Sequence, residues 1–241
     1  MKFDILTLFP EMFESFKNTS IIGRAIKNKI IDVNTINFRD YSTNKHRKVD
    51  DYTYGGGAGM LLSPQPIIDS LRAIDYENTR VIYLSPKGKT FNQNYAKEFS
   101  KLDRIILLCG HYEGVDQRVI DNYVTDEISI GDFVLTGGEI PAMMVVDSIS
   151  RMIDGVLSSN VSFEDESFYS GVLEYPQYTR PSTFEGVKVP DVLLSGNHEK
   201  IKEWRLIESL KVTKKRRKDL FNKFAIDNKK NKYIKKILDD L

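Results

Sequence analysis

Cysteine is nearly absent. The 241-residue chain has one, Cys109, which excludes an internal disulfide and a cysteine-built zinc site. Histidine is scarce as well: His46, His111 and His198 lie far apart in the sequence, so no metal site is expected. No apolar run approaches the roughly 18 residues of a membrane-spanning helix. The segment from Met1 to Pro10 lacks both the basic start and the small-residue cleavage site of a secretory leader. The expectation is a cytoplasmic protein without membrane association. A net charge of one sign is also missing, since the formal total is +1, but that balance hides an asymmetry. From Gly196 to Leu241 there are 15 Lys/Arg against 7 Asp/Glu, so the tail carries +8 and the remainder −7. Two runs concentrate the positive charge, Lys214 to Lys218 and Lys229 to Lys236. They read either as a phosphate-binding arm or as a solvated helical face.

What is present is long enough for one large domain, or for a domain with a smaller companion. Short runs rich in Val, Ile, Leu, Phe and Tyr predict strands at Phe3–Phe9, Val33–Phe38, Arg80–Leu84, Arg104–Cys109 and Glu127–Ile130. Helical spacing predicts helices at Ile21–Lys29, Pro66–Ala73, Asn92–Lys101, Val115–Asn122 and Glu139–Ile153. Alternation of this kind is the signature of an α/β domain with a mainly parallel sheet covered on both faces. That domain is expected to span 1–154. From Gly155 to Gly171 the periodicity gives way to Ser, Asn, Asp and Glu, as in a flexible linker (155–171). A small basic helical domain (172–241) is expected to follow, with apolar residues at helical spacing: Ile201, Trp204, Ile207 and Leu210, then Leu220 and Phe224, then Ile234, Ile237 and Leu238.

In parallel sheets ligands sit beyond the carboxyl ends of strands. Three consecutive predicted strands run into glycine-bearing loops there: Ser85-Pro86-Lys87-Gly88, Gly110-His111-Tyr112-Glu113-Gly114, and Gly131 through Glu139. Glycine lets backbone approach a ligand closely, so three such loops point to a small-molecule cleft. The familiar nucleotide fingerprints fail. No G-x-G-x-x-G follows a strand, and Gly88-Lys89-Thr90 lacks the leading glycine of a P-loop, whose place is taken by Tyr83. The glycine-rich Tyr54–Gly59 segment follows a charged loop and reads as a mobile or close-approach element. Adjacent carboxylates at Glu164, Asp165 and Glu166 raise one another's pKa, which suits a general base, although solvated linker charge has the same composition. Arg151, at the end of a long apolar helix, is placed either to cap that helix or to reach a ligand.

Seven stretches in order complete the reading: Tyr54-Gly-Gly-Gly-Ala-Gly-Met60, Leu84-Ser-Pro86, Cys109-Gly-His-Tyr-Glu-Gly114, Ser129-Ile-Gly-Asp-Phe-Val-Leu135, Thr136-Gly-Gly-Glu-Ile-Pro141, Tyr175-Pro-Gln-Tyr-Thr-Arg-Pro181 and Leu193-Leu-Ser-Gly-Asn-His198. Together they resemble the bacterial tRNA (guanine(37)-N1)-methyltransferase family, the TrmD family of the SPOUT class, from Met1 to about Lys218. A related ribosomal RNA methyltransferase is disfavoured by the Tyr175–Pro181 motif and the long C-terminal part. A non-catalytic RNA-binding module is disfavoured by the three loops, and a nicotinamide dehydrogenase by the missing fingerprint.

The resemblance implies more than spacing does. It implies a deep trefoil knot in the sheet domain, where strand and helix order alone predict an unknotted sheet. It implies a homodimer with the active site shared between subunits, tRNA as substrate, and S-adenosyl-L-methionine as methyl donor. The donor's site would comprise Leu84, Ser85, Pro86, Gly110, Tyr112, Glu113, Gly114, Ile130, Gly131, Asp132, Phe133, Val134, Leu135, Gly137, Gly138 and Pro141. Glu166 stands where the family has an aspartate before Ser-Phe and is the expected base, with Asp165 as its rival. Arg151 matches a catalytic arginine. His111 takes no catalytic role in this reading. Any magnesium ion is expected to be loosely held or carried by the RNA.

Overall fold

The apolar runs read as strands do form one sheet, and nearly every residue of its centre is buried. The computed structural model describes residues 1–157 and 166–241, in two compact units, Met1–Asn160 and Val161–Leu241. Glu164 and Asp165 lie outside the described residues.

The first unit runs β1 (Lys2–Thr7), α1 (Glu14–Asn18), α2 (Ser20–Lys27), β2 (Asp32–Asn37), β3 (Asp50–Tyr52), β4 (Met60–Leu62), α3 (Pro64–Ala73), β5 (Arg80–Thr90), α4 (Gln93–Phe99), β6 (Arg104–Cys109), α5 (Gln117–Tyr123), β7 (Asp126–Ser129) and α6 (Glu139–Ser150). Five strands make the sheet in the order β2-β1-β6-β5-β7, and every neighbouring pair is parallel. Alternate residues feed two separate cores. Phe3, Ile5, Ile82, Leu84, Ile105 and Leu107 pack on one face with Ala142, Val145, Val146 and Ile149 of α6. Leu6, Val81, Tyr83, Ile106 and Leu108 pack on the other with Ile67 and Leu71 of α3 and Val119 of α5. A strand buried on both faces needs an unbroken apolar run, which is what Ile105 to Cys109 supplies.

Two departures from the expected elements shape the site. Asp50–Tyr52 and Met60–Leu62 form an antiparallel pair apart from the main sheet, carrying the glycine-rich loop between them. β5 also continues to Thr90 instead of ending at Leu84, because Leu84 and Lys89 both pair with Ile128 while the residues between them bulge out. Gly88 makes the return possible: a Cβ there would stand 2.4 Å from the backbone of Glu127 and Ile128. The resemblance of Gly88-Lys89-Thr90 to a P-loop end therefore has a packing cause. At the opposite end of the pairing, the Arg80 guanidinium makes two 2.7 Å bonds to Asp126 and ties β5 to β7.

The second unit holds a short hairpin, β8 (Thr183–Phe184) with β9 (Val187–Lys188), then α7 (Asp191–Leu194), α8 (His198–Arg216), α9 (Lys218–Asp227) and α10 (Lys232–Asp239). Asn197 caps α8 by accepting from the Lys200 amide, and Asn231 caps α10 by accepting from Tyr233 and Ile234. Val172, Leu210 and Ile237 form its core, with Leu206, Ile207, Phe221, Phe224 and Leu238 against them.

Candidate functional site

A cleft of about 460 Å³ opens beyond the carboxyl ends of β5, β6 and β7, a size suited to a small organic ligand. The first loop is folded by Ser85, whose Oγ accepts from the Lys87 amide at 3.1 Å. In the second loop the Gly114 amide turns back onto the His111 carbonyl at 3.1 Å, and Glu113 donates its amide to the Met60 carbonyl at 3.0 Å. Tyr112 sits at φ 56° and Gly114 at φ 114°, so this turn takes the left-handed backbone that Gly114 adopts at low cost. The third loop is anchored by Ser129, whose Oγ accepts from the Gly131 amide. It then crosses to the second loop through an antiparallel bridge between His111 and Gly137.

Of the residues expected to hold a cofactor, all line this cleft except Gly131 and Asp132. Several of its backbones approach where a side chain would not fit. A Cβ on Gly110 would meet the Tyr83 ring at 3.0 Å. Around the mouth Tyr112, Phe133, Val134 and Leu135 are exposed apolar side chains, a rim that a ligand would cover. Lys87, His111 and Thr136, from the same three loops, also line the cleft, as do Tyr83 and Gln117, which the sequence did not place there. Tyr83 reads as core in sequence because it is a strand residue. Its position beneath Gly110 and Gly114 depends on two strands meeting in space.

Burial pushes the Tyr83 hydroxyl's pKa up, and the Glu127 charge adds to the rise. Burial, with the Glu139 charge, pushes the Cys109 thiol well up, which keeps it protonated and a poor nucleophile. Among the described residues no group of three or more His, Cys, Asp or Glu is gathered to hold a metal ion. No helix among them is long and apolar enough to cross a membrane.

The two expected catalytic residues belong to different units. Arg151 caps the C-terminal end of α6, its amide donating to the Asp147 carbonyl at 3.1 Å. Asp147 is half-buried, and its carboxyl pKa is raised by burial and partly lowered again by the Arg151 charge. The Glu166 backbone carbonyl accepts from the Tyr169 amide at 3.3 Å, while Phe168 donates its amide to the Val172 carbonyl at 2.8 Å and Ser167 Oγ accepts from the Glu174 amide at 3.0 Å. The Arg217 guanidinium lies 5.7 Å from the Phe168 ring centre. Residues 166–172 are thus bound into the second unit. In the Tyr54–Gly59 segment, a Cβ on Gly55 or Gly56 would point into open space, whereas one on Gly59 would stand 2.4 Å from a Glu113 carboxylate oxygen. Close approach therefore describes one end of that segment and open space the other.

The family model described as tRNA (Guanine-1)-methyltransferase TrmD matches residues 1–223. A protein of Clostridium botulinum (strain Langeland / NCTC 10281 / Type F) named tRNA (guanine-N(1)-)-methyltransferase is 59% identical over 236 residues, covering 98% of each chain. Proteins of the same name from Clostridium perfringens (strain SM101 / Type A) and Clostridioides difficile (strain 630) are 58% and 60% identical. They cover 98% and 92% of this chain, and 99% and 98% of their own.

Proposed function

Because this chain belongs to the tRNA (guanine-1)-methyltransferase TrmD family, we propose that it transfers a methyl group from S-adenosyl-L-methionine to N1 of guanosine 37 of tRNA, beside the anticodon. The observation that carries this reading is the cleft formed by three loops after consecutive parallel strands. Its glycine backbones admit a ligand closely, and its apolar rim suits a purine base more than a polyphosphate. Leu84 to Pro86, Gly110 to Gly114 without His111, Ile130 to Leu135, Gly137, Gly138 and Pro141 are assigned to the donor. Gly131 and Asp132 act through the shape of the third loop.

The donor supplies an electrophilic sulfonium methyl group when bound. The chain's own residues do the rest. N1 of guanine carries a proton at neutral pH, and the Glu166 carboxylate removes it, which makes N1 a nucleophile. Negative charge then spreads toward O6, where the Arg151 guanidinium stabilises the transition state more than the ground state. We assign 1–154 to a knotted donor-binding domain, 155–171 to an interdomain linker whose end, from Glu166, is bonded into the second unit, and 172–241 to tRNA binding, with the lysine runs gripping phosphate. The active protein is assigned as a cytoplasmic homodimer in which Glu166 serves the partner's cleft. Family membership supports the dimer and the knot.

The test is transfer of labelled methyl groups to tRNA transcripts carrying G or A at position 37. Incorporation into the G transcript alone is the expected result, and equal labelling of both would overturn the assignment.

A further inference from the structure

His111 presents a buried polar group that the fold leaves unsatisfied, and a buried carboxylate, Glu139, lies across Gly137 from it. His111 Nδ1 is buried without a hydrogen-bond partner, a costly state for an imidazole nitrogen. Glu139 is only 3% exposed. Its Oε1 accepts from Thr7 Oγ1 at 2.7 Å, its place in the first turn of α6 favours negative charge, and no cation pairs with it among the described residues. Both groups meet over Gly137, where a Cβ would stand 2.3 Å from Glu139 Oε2 and 3.2 Å from His111 Nδ1. The missing side chain leaves the space between them open. The imidazole plane is held by two edge-on rings, Phe9 at 5.1 Å and Tyr112 at 4.5 Å, and the same imidazole lines the cleft.

We propose that His111 is a positioning residue of the cleft: a small movement into the open space over Gly137 brings its Nδ1–H onto the Glu139 carboxylate, a bond the structure itself does not contain, so that Nε2 is presented to the ligand as a hydrogen-bond acceptor. The argument is one of tautomers. An ionised carboxylate only accepts, so the nitrogen that bonds to it must carry the proton. A neutral imidazole has one N–H, so the other nitrogen must then accept. Thr7, which also accepts from the Phe9 amide at 2.9 Å, holds Glu139 in place from the end of β1. The ligand group that matches an acceptor here is a hydroxyl or an ammonium, and the methyl donor offers both. That last step rests on the proposed function, while the pairing itself does not.

The experiment has two arms. Nitrogen-15 NMR of the histidine side chains at a pH where imidazole is neutral reads the tautomer without any ligand, and the exposed His46 and His198 serve as references. The expected result is an Nδ1–H tautomer for His111 that shifts toward Nε2–H in Glu139→Gln. An Nε2–H tautomer in the unmodified protein, or one that ignores Glu139→Gln, overturns the pairing. Calorimetry with S-adenosylhomocysteine is the second arm. His111→Ala and Glu139→Gln should each weaken binding roughly threefold to tenfold, the scale of one hydrogen bond. Unchanged affinity in His111→Ala overturns the positioning role. Absence of any binding by the unmodified protein would instead count against the proposed function, with the tautomer still deciding the pairing.

Discussion

Gly138 donates its amide hydrogen to the Gly110 carbonyl across 2.9 Å, and a Cβ on Gly138 would stand 2.7 Å from the Cys109 Cα. The second and third loops of the cleft are therefore held at a separation that only a residue without a side chain permits. Gly138→Ala is expected to cost about 1–3 kcal/mol and to lower affinity for S-adenosylhomocysteine. Thermal melting and calorimetry check this. Retention of full affinity by a folded Gly138→Ala protein would show that the loop contact does not shape the cleft.

Gly88 makes the corresponding contact on the other side, against Glu127 and Ile128 of β7. Gly88→Ala is expected to destabilise by a similar ~1–3 kcal/mol, because the opposing atoms are backbone and cannot rotate away. Gly56→Ala is the comparison: a Cβ there would meet nothing within 4 Å, but its φ is 80°, so strain alone should cost about 1–2 kcal/mol. Chemical denaturation ranks them, and a smaller loss for Gly88→Ala would contradict the packing account.

Glu166→Gln should remove most methyl transfer while leaving donor binding intact, since the amide cannot take the N1 proton. Asp165→Asn should be mild. Single-turnover rates with tRNA separate the two, and a severe Asp165→Asn beside a mild Glu166→Gln would move the base to Asp165.

Mixing subunits tests the shared site. In a dimer of one Arg151→Ala chain and one Glu166→Gln chain, the two-fold axis places both lesions in one site and neither in the other. Each homodimer alone should be nearly inactive, and random mixing should restore about a quarter of the sites. If mixed dimers form and activity stays at the level of the separate variants, Glu166 serves its own chain.

Asp147 gives a pH signature. Burial raises its carboxyl pKa above the unfolded value, against a smaller opposing effect of Arg151. Between the unfolded and folded pKa values the native state binds more protons, so stability falls as pH rises through that window and is recovered on acidification. Asp147→Asn should flatten this slope and leave the protein at least as stable at neutral pH. Denaturation midpoints across pH 3–8 are the measurement, and a steeper slope in Asp147→Asn would reverse the sign argued here.

The α/β layout was legible because the signals that specify it are local. Five consecutive apolar residues from Ile105 to Cys109 are what a strand covered on both faces requires. Capping residues act equally locally, as Asn197 and Asn231 do by binding amides within their own first turns. The three glycine loops were readable for the same reason, each following its strand directly along the chain.

Tertiary structure decided what those loops do together. Gly88 is a glycine because of β7, Gly110 because of Tyr83, and Gly137 because His111 and Glu139 converge upon it. The β3–β4 pair, the bulge after Leu84 and the bond from Thr7 to Glu139 likewise join residues that periodicity treats as unrelated. Periodicity records which face of its own element a side chain takes, whereas these contacts depend on which distant backbone arrives there, and no local pattern encodes that.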